Sequence, residues 1–188
     1  MDTIWWVVIV AAIAVVVVAL AAQAYARSRR RAGLQDRYGS EYNRTVDSAG
    51  SARKAERELT EREKMHEDLD IRPLSDDARE RFAADWQRAE GRFMDDPELA
   101  ARDADRIVRD VLVERGYPRD DFDEQAAAVS VDHPKAVQRY RHGHEMVHGN
   151  GASGDERTEN LRKAMVDFRE VFAELVEPAP DREPATRS

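Results

Sequence analysis

The sequence predicts an all-α protein with a single N-terminal transmembrane helix followed by a bundle of four to six helices. Three observations support this prediction: an unbroken apolar run at residues 4–22, apolar residues at helical spacing through much of the remaining chain, and weak strand signals. No stretch sustains an alternation of apolar and polar residues, and no Asn-Gly pair joins two β-branched segments. We therefore expect helices separated by loops.

The apolar run reads IWWVVIVAAIAVVVVALAA, nineteen residues without a charge, a proline or a glycine. A helix of that length, at about 1.5 Å per residue, nearly spans a hydrocarbon core of roughly 30 Å. Trp5 and Trp6 at one end and Tyr25 at the other resemble an interfacial aromatic belt. We expect residues 4–26 to span the lipid bilayer.

Four arginines within residues 27–31 follow the run directly, whereas the other side offers only the α-amine and Asp2. The positive-inside rule therefore predicts a single-pass plasma-membrane protein with its N-terminus outside and its C-terminal domain in the cytoplasm. A cleaved signal peptide is the alternative, because Ala24 to Ala26 resembles a cleavage site. The run lacks the basic segment that precedes such signals, so we favour the anchor.

The charge of the chain limits its partners. There are 30 Lys and Arg against 38 Asp and Glu, a net charge of −8. Residues 1–31 hold four of the arginines and one of the acids, which leaves 26 basic and 37 acidic groups, net −11, in the remainder. Phosphates would be repelled, so no nucleic-acid partner is expected. The chain has no cysteine, which excludes disulfide and thiol chemistry.

Four segments follow from these patterns: a transmembrane anchor with its Arg cluster at 1–31, a juxtamembrane segment and charged helix at 32–74, a helical domain at 75–177, and a disordered tail at 178–188. The tail is rich in proline and charge. The charged helix has a thin apolar stripe, so its sequence is compatible either with a stalk or with a self-associating arm.

Several residues predict where helices begin and end in the domain. Ser75, Asp96 and Asp121 each precede a helical pattern as N-cap residues, and Pro97 suits a first helical position. Gly116 is expected to end the helix that Pro97 begins. The acidic pairs that contain Asp96 and Asp121 are thereby explained by capping, without a metal ion.

One motif suggests chemistry: residues 144–148 read HEMVH, a match to H-E-x-x-H. On a helix, His144 and His148 share a face and can bind one Zn²⁺, while Glu145 can activate a bound water. This motif predicts, as the alternative function, a membrane-tethered zinc metallopeptidase.

The sequence does not supply a clear third ligand. The longer form of the motif needs a histidine where this chain has Gly154. A thermolysin-like site needs a downstream carboxylate, for which Glu170 and Glu174 are candidates in a chain full of acids.

The other interpretation of these histidines is structural. His144 falls on the apolar stripe of Val137 and Tyr140, where a packed histidine is expected, and the C-terminal end of a helix favours cationic side chains. His133, next to Pro134, is expected to face solvent or to cap a turn. We therefore assign no catalytic, cofactor-binding or metal-binding residue from sequence, and expect no cofactor.

Three short motifs carry a resemblance to a known group of proteins: LDIRPL at 69–74, RGYP at 115–118 and SVDHP at 130–134. The chain resembles a family of small bacterial, largely actinobacterial, proteins. The resemblance implies one N-terminal transmembrane helix and a helical cytoplasmic domain, and it implies no particular activity. The family pattern has a histidine like His144 and does not require Glu145 or His148.

The favoured function is therefore non-enzymatic. We expect a membrane-anchored interaction or scaffold module at the cytoplasmic face of the plasma membrane, with a protein partner or self-association.

Overall fold

The computed structural model describes the backbone of residues 2–149 and 151–177, and in this part of the chain every regular element is a helix. The all-α prediction is confirmed. The side chains of residues 2–5, 7–12 and 14 are outside the described set. The tail predicted at 178–188 also lies outside the described residues.

Eight helices occupy the described residues. Their bounds are α1 Asp2–Tyr38, α2 Ser40–Ala49, α3 Ala52–Glu67, α4 Asp76–Arg92, α5 Pro97–Glu114, α6 Phe122–Asp132, α7 Ala136–His148 and α8 Gly154–Val176. Contacts divide the chain into two compact units, Met1–Leu59 and Thr60–Ser188.

The first unit contains α1, α2 and the first half of α3. Helix α1 is 37 residues long and runs through the apolar run and the Arg cluster without a break. Gly50 ends α2 in the left-handed region, at φ +71°, where its N–H donates to the Val46 carbonyl at 2.9 Å. The Tyr42 hydroxyl donates to Glu56 of α3 at 3.4 Å.

Within the part of the chain that the structure describes, no helix combines the length and the apolar content needed to cross a membrane. The predicted span at residues 4–26 lies partly outside that part, because the side chains at 4, 5, 7–12 and 14 are not described. The transmembrane helix is therefore not confirmed by the structure.

The second unit is a bundle in which α5 packs against α4, α7 and α8, while α6 packs against α7. Apolar faces of α4 and α8 meet in its core, where Trp86 stacks on Phe172 with ring centroids 4.9 Å apart. Gly143 lets α7 approach α8 closely, since a Cβ there would lie 2.9 Å from the Phe168 ring. Helices α7 and α8 are thereby packed closely together.

The three predicted N-caps are confirmed. The side chains of Ser75, Asp96 and Asp121 each accept a hydrogen bond from the backbone N–H three residues further on, at 3.2, 3.0 and 2.9 Å. Pro97 occupies the first turn of α5. Each cap pairs an N–H that the first turn of a helix leaves unsatisfied.

The segments LDIRPL, RGYP and SVDHP, on which the family resemblance rests, contact one another in the second unit. The Arg72 N–H donates to the Arg115 carbonyl at 2.9 Å, and the Tyr117 hydroxyl donates to Asp132 at 3.0 Å. Gly116 sits at φ +103°, directly beneath the Asp70 carbonyl. The non-helical connection between α3 and α4 is thereby fastened to the end of α5.

Replacing Gly116 by alanine should destabilise the protein by about 2–4 kcal/mol. The φ of +103° strains any L side chain, and a Cβ would collide with the backbone of Asp70. Gly91→Ala is the matched control, because Gly91 lies inside α4 with nothing within 4 Å of its Cβ position. That change should stabilise the helix by about 0.5–1 kcal/mol. Urea unfolding followed by circular dichroism measures both changes in stability. Equal unfolding midpoints for the two variants would contradict the strain and the collision with Asp70 that we assign to position 116.

Candidate metal centre

Helix α7 carries both histidines of the HEMVH motif on one face, as their spacing predicts. The ring centroids of His144 and His148 are 4.2 Å apart, with the rings inclined by 41°. His148 is the last residue of the helix, and Gly149 follows in extended conformation. The two imidazoles therefore sit in the final turn of α7.

A buried carboxylate from another helix lies against both rings. Asp105 of α5 is 5% exposed. Its Oδ1 is 3.1 Å from Nδ1 of His144, and its Oδ2 is 2.9 Å from Nε2 of His148. One ligand atom from each of the three residues lies within 4.8 Å of the other two.

The environment keeps Asp105 ionised. Burial alone would raise the pKa of this carboxyl, but hydrogen bonds from His144 and His148 outweigh burial and hold the pKa below its ordinary value. The Arg109 guanidinium, one turn further along α5, lies 4.0 Å from Oδ2. Asp105 is therefore a carboxylate at neutral pH, which is the form that binds a cation.

Burial also raises the pKa of Tyr140, and the negative charge of Asp105 adds to that rise. The tyrosine thus stays protonated and acts as a donor. Its hydroxyl donates to Gln125 Oε1 at 2.8 Å, and the Gln125 amide donates to the Pro118 carbonyl at 2.6 Å. This chain of bonds fixes α6 against α7 next to the cluster.

The cluster has a closed side and an open side. Phe122 of α6 stacks on the His144 ring, with centroids 3.6 Å apart and an angle of 11°, which fixes the plane of that imidazole. The side chain of His144 is 21% exposed and that of His148 is 49% exposed. Solvent reaches the site past His148, whereas the carboxylate is covered.

Arg157 of α8 holds the end of α7 in place. Its guanidinium donates to the carbonyls of Met146 and Val147 at 2.7 and 2.8 Å, two of the acceptors that a helix end leaves unpaired. It also forms a two-pronged pair with Glu98 in the first turn of α5, at 2.6 and 2.9 Å. Arg157 therefore connects α5, α7 and α8 beside the two histidines.

The arrangement is suited to a metal ion. Zinc bonds of about 2.0–2.2 Å to nitrogen and oxygen in a tetrahedral shell put neighbouring ligand atoms roughly 3.3 Å apart. The Asp105 oxygens already lie 2.9 and 3.1 Å from the histidine nitrogens. Three protein ligands would leave a position open toward solvent.

The acids nominated from sequence as third ligands do not belong to this cluster. Glu170 pairs with Arg139 at 2.9 Å, and Glu174 pairs with His133 at 2.7 Å. The expectation that His133 faces solvent or caps a turn is wrong in part, because its side chain is 18% exposed and joins α6 to α8. The packed environment predicted for His144 is confirmed by its stacking on Phe122.

Sequence reasoning missed Asp105, although the sequence contains a signal for it. The buried positions of α5 include Ala101, Ala104 and Val108, and Asp105 falls on the same stripe. A charged residue on an apolar stripe is costly to bury unless it is paired, so its position predicts a partner across the interface.

No protein-family model, no curated protein and no solved structure matches the chain. The fold and site define an all-α protein that carries a His-His-Asp cluster between two helices of its bundle. The resemblance to a bacterial family stays a prediction.

Arg157→Ala should destabilise the protein by about 1–2 kcal/mol at neutral pH, mainly because two carbonyls of α7 lose their donor. Solvent screens the pair with the half-exposed Glu98, so that pair adds little. Arg162→Ala, which removes only a surface pair with Glu159, is the control and should change stability little.

The small part of this loss that comes from the pair with Glu98 should depend on pH. The hydrogen bond from Arg157 lowers the pKa of Glu98 from 4.5. The contribution of the pair is therefore fully present above pH 4.5 and is lost as the pH falls through the lowered pKa. Unfolding at several pH values checks this, and a difference between wild type and Arg157→Ala that grows on acidification would contradict it.

Proposed function

We propose that this protein is a single-pass membrane protein that holds its helical domain at the cytoplasmic face of the plasma membrane, where the domain binds another protein. The observation that carries the proposal is α1. The apolar run at 4–22 lies inside one helix of 37 residues. Such a helix is about 55 Å long, so it exceeds the hydrocarbon core and leaves turns for the headgroup region.

The residues that flank the run support the direction of the anchor. Four arginines at 27–31 continue on α1 directly after the run, and the Arg29 guanidinium lies 5.7 Å from the centre of the Tyr25 ring. Aromatic and basic side chains at one end of an apolar helix suit a cytoplasmic interface. The N-terminus is then outside the cell.

The surface charge supports a protein partner. Many arginines of the domain are engaged in ion pairs within it, such as Arg88 with Asp85, Arg92 with Asp103 and Arg141 with Asp123. The residues after position 31 carry a net charge of −11, so acids outnumber the bases that can pair with them. A partner with a basic surface fits this domain, whereas two copies of it would repel each other.

A tethered zinc metallopeptidase is the second candidate, and Asp105 is the observation that favours it, because it gives the HEMVH motif a third ligand. Glu145 would act as the general base. Its side chain is exposed on α7. The part of the chain that the structure describes contains no strand along which an extended peptide could bind. Zinc-dependent peptide hydrolysis that disappears in Glu145→Gln, while zinc stays bound, would establish this function over the first.

The topology can be tested with single cysteines, because the natural chain has none. Thr3→Cys should react with a membrane-impermeant maleimide on intact cells. Ser153→Cys, in the exposed connection before α8, should react only after permeabilisation. The cysteine-free wild type is the control for background labelling. Reversed labelling, or release of the wild type from membranes by carbonate, would refute the anchor and its direction.

The binding function can be tested by affinity capture of the full chain from detergent-solubilised membranes. We expect a stoichiometric partner with a basic surface that dissociates as salt rises, since salt screens charge attraction. The double variant Glu61→Gln/Glu63→Gln has less negative charge on the charged helix, and its capture is compared with that of the wild type. Capture of nothing specific would count against an interaction module, and capture of the chain itself would favour self-association.

A further inference from the structure

We propose that Asp105, His144 and His148 bind one Zn²⁺ ion, which fastens the last turn of α7 to α5. This inference goes beyond the membrane-bound interaction module and does not depend on it. It requires neither an anchor nor a partner, and it requires no catalytic role for Glu145.

The first argument is the geometry of the three side chains. Two helices that are far apart in sequence bring three ligand atoms within 4.8 Å of one another. Both carboxylate oxygens are aimed at imidazole nitrogens, one at each ring. The carboxylate is almost fully buried, and the stacking of Phe122 fixes one ring. A cation that enters this site would meet three potential ligands on two helices.

The second argument concerns the balance of charge. A buried carboxylate is costly unless a cation or hydrogen-bond donors compensate it. The Arg109 guanidinium reaches only one oxygen, at 4.0 Å, which is the limit for an ion pair. Two neutral imidazoles would have to donate from different nitrogens, Nδ1 in His144 and Nε2 in His148. A divalent ion removes that requirement, because each nitrogen then offers its lone pair.

The donor set excludes Mg²⁺ and Ca²⁺ and suits a transition metal, for which we take Zn²⁺ as the probe. Two imidazole nitrogens and one carboxylate oxygen suit Zn²⁺, whereas Mg²⁺ and Ca²⁺ prefer shells made only of oxygen. The chain has no cysteine, so sites built on thiolates are excluded. The half-exposed side chain of His148 gives the ion a path to the buried carboxylate.

The position of the cluster at the end of α7 indicates a structural role for the ion. Helix α7 ends at His148, and the chain continues through Gly151 and Gly154, both at positive φ. Without metal, Arg157 holds the carbonyls of this last turn from α8. The ion would additionally join the two histidine side chains at this end of α7 to Asp105 of α5.

The experiment uses the full chain in detergent, with its purification tag removed and its metal stripped by a chelator. Zinc is added in competition with a chromophoric chelator, and Co²⁺ absorption reports tetrahedral coordination. We expect one Zn²⁺ per chain with a dissociation constant of about 1 μM or tighter, and a melting temperature raised by roughly 5 °C at saturation. Mg²⁺ at the same concentration should do neither.

Four variants define the ligands and their controls. His148→Ala and Asp105→Asn should each weaken zinc binding at least tenfold and lose the cobalt spectrum, while their helical circular dichroism stays near that of the wild type. His142→Ala removes a half-exposed histidine of the same helix that pairs with Asp167 outside the cluster. It should bind zinc like the wild type, and so should Glu145→Gln.

Two results would overturn the proposal. One is less than about 0.2 Zn²⁺ per chain after incubation with a slight excess of zinc, because the cluster is then a hydrogen-bonded triad only. The other is zinc binding that persists unchanged in His148→Ala or that is lost equally in His142→Ala. His148 is half exposed, so its replacement does not threaten the fold, and the test remains decisive even if Asp105→Asn unfolds.

Discussion

A negative charge in the middle of the helical bundle constrains this structure more than any other single feature. Asp105 lies on the face with which α5 packs against its neighbours, where a carboxylate is unfavourable without compensation. The last turn of α7 supplies that compensation through two imidazoles, and α6 and α8 then hold α7 in register through Phe122 and Arg157. Four helices, α5 to α8, are thus oriented around one buried carboxylate, and the same carboxylate belongs to the candidate metal centre.

Local features of the fold were predictable from sequence because their causes lie within a few residues. Ser75, Asp96 and Asp121 cap helices through bonds to the residue three positions on, and the apolar stripes follow from helical spacing. The common face of His144 and His148 follows from the same spacing. The third member of the cluster did not follow, because Asp105 is 39 residues from His144 and only the packing of α5 on α7 joins them. The contact between His133 and Glu174, which are 41 residues apart, was not predicted for the same reason.

The two units of the chain are the basis of different proposals. The first contains α1, whose apolar run and arginines carry the proposal of a membrane anchor, and the second contains the bundle with its cluster. The anchor rests on residues of the first unit, and the metal site rests on residues of the second. The anchor and the metal site can therefore be separated by experiment, and neither depends on how the units are arranged.

The uneven exposure of the two histidines has an evolutionary consequence. His144 is packed under Phe122 and satisfies the buried carboxylate, so its loss would cost the bundle its stability. His148 stands half in solvent at a helix end, where many side chains are tolerated. A single replacement there would remove one of the three proposed zinc ligands and leave the buried pair of Asp105 and His144, while the scaffold stays intact. The proposed metal site could thus be gained or lost through one substitution at position 148, without a change of fold.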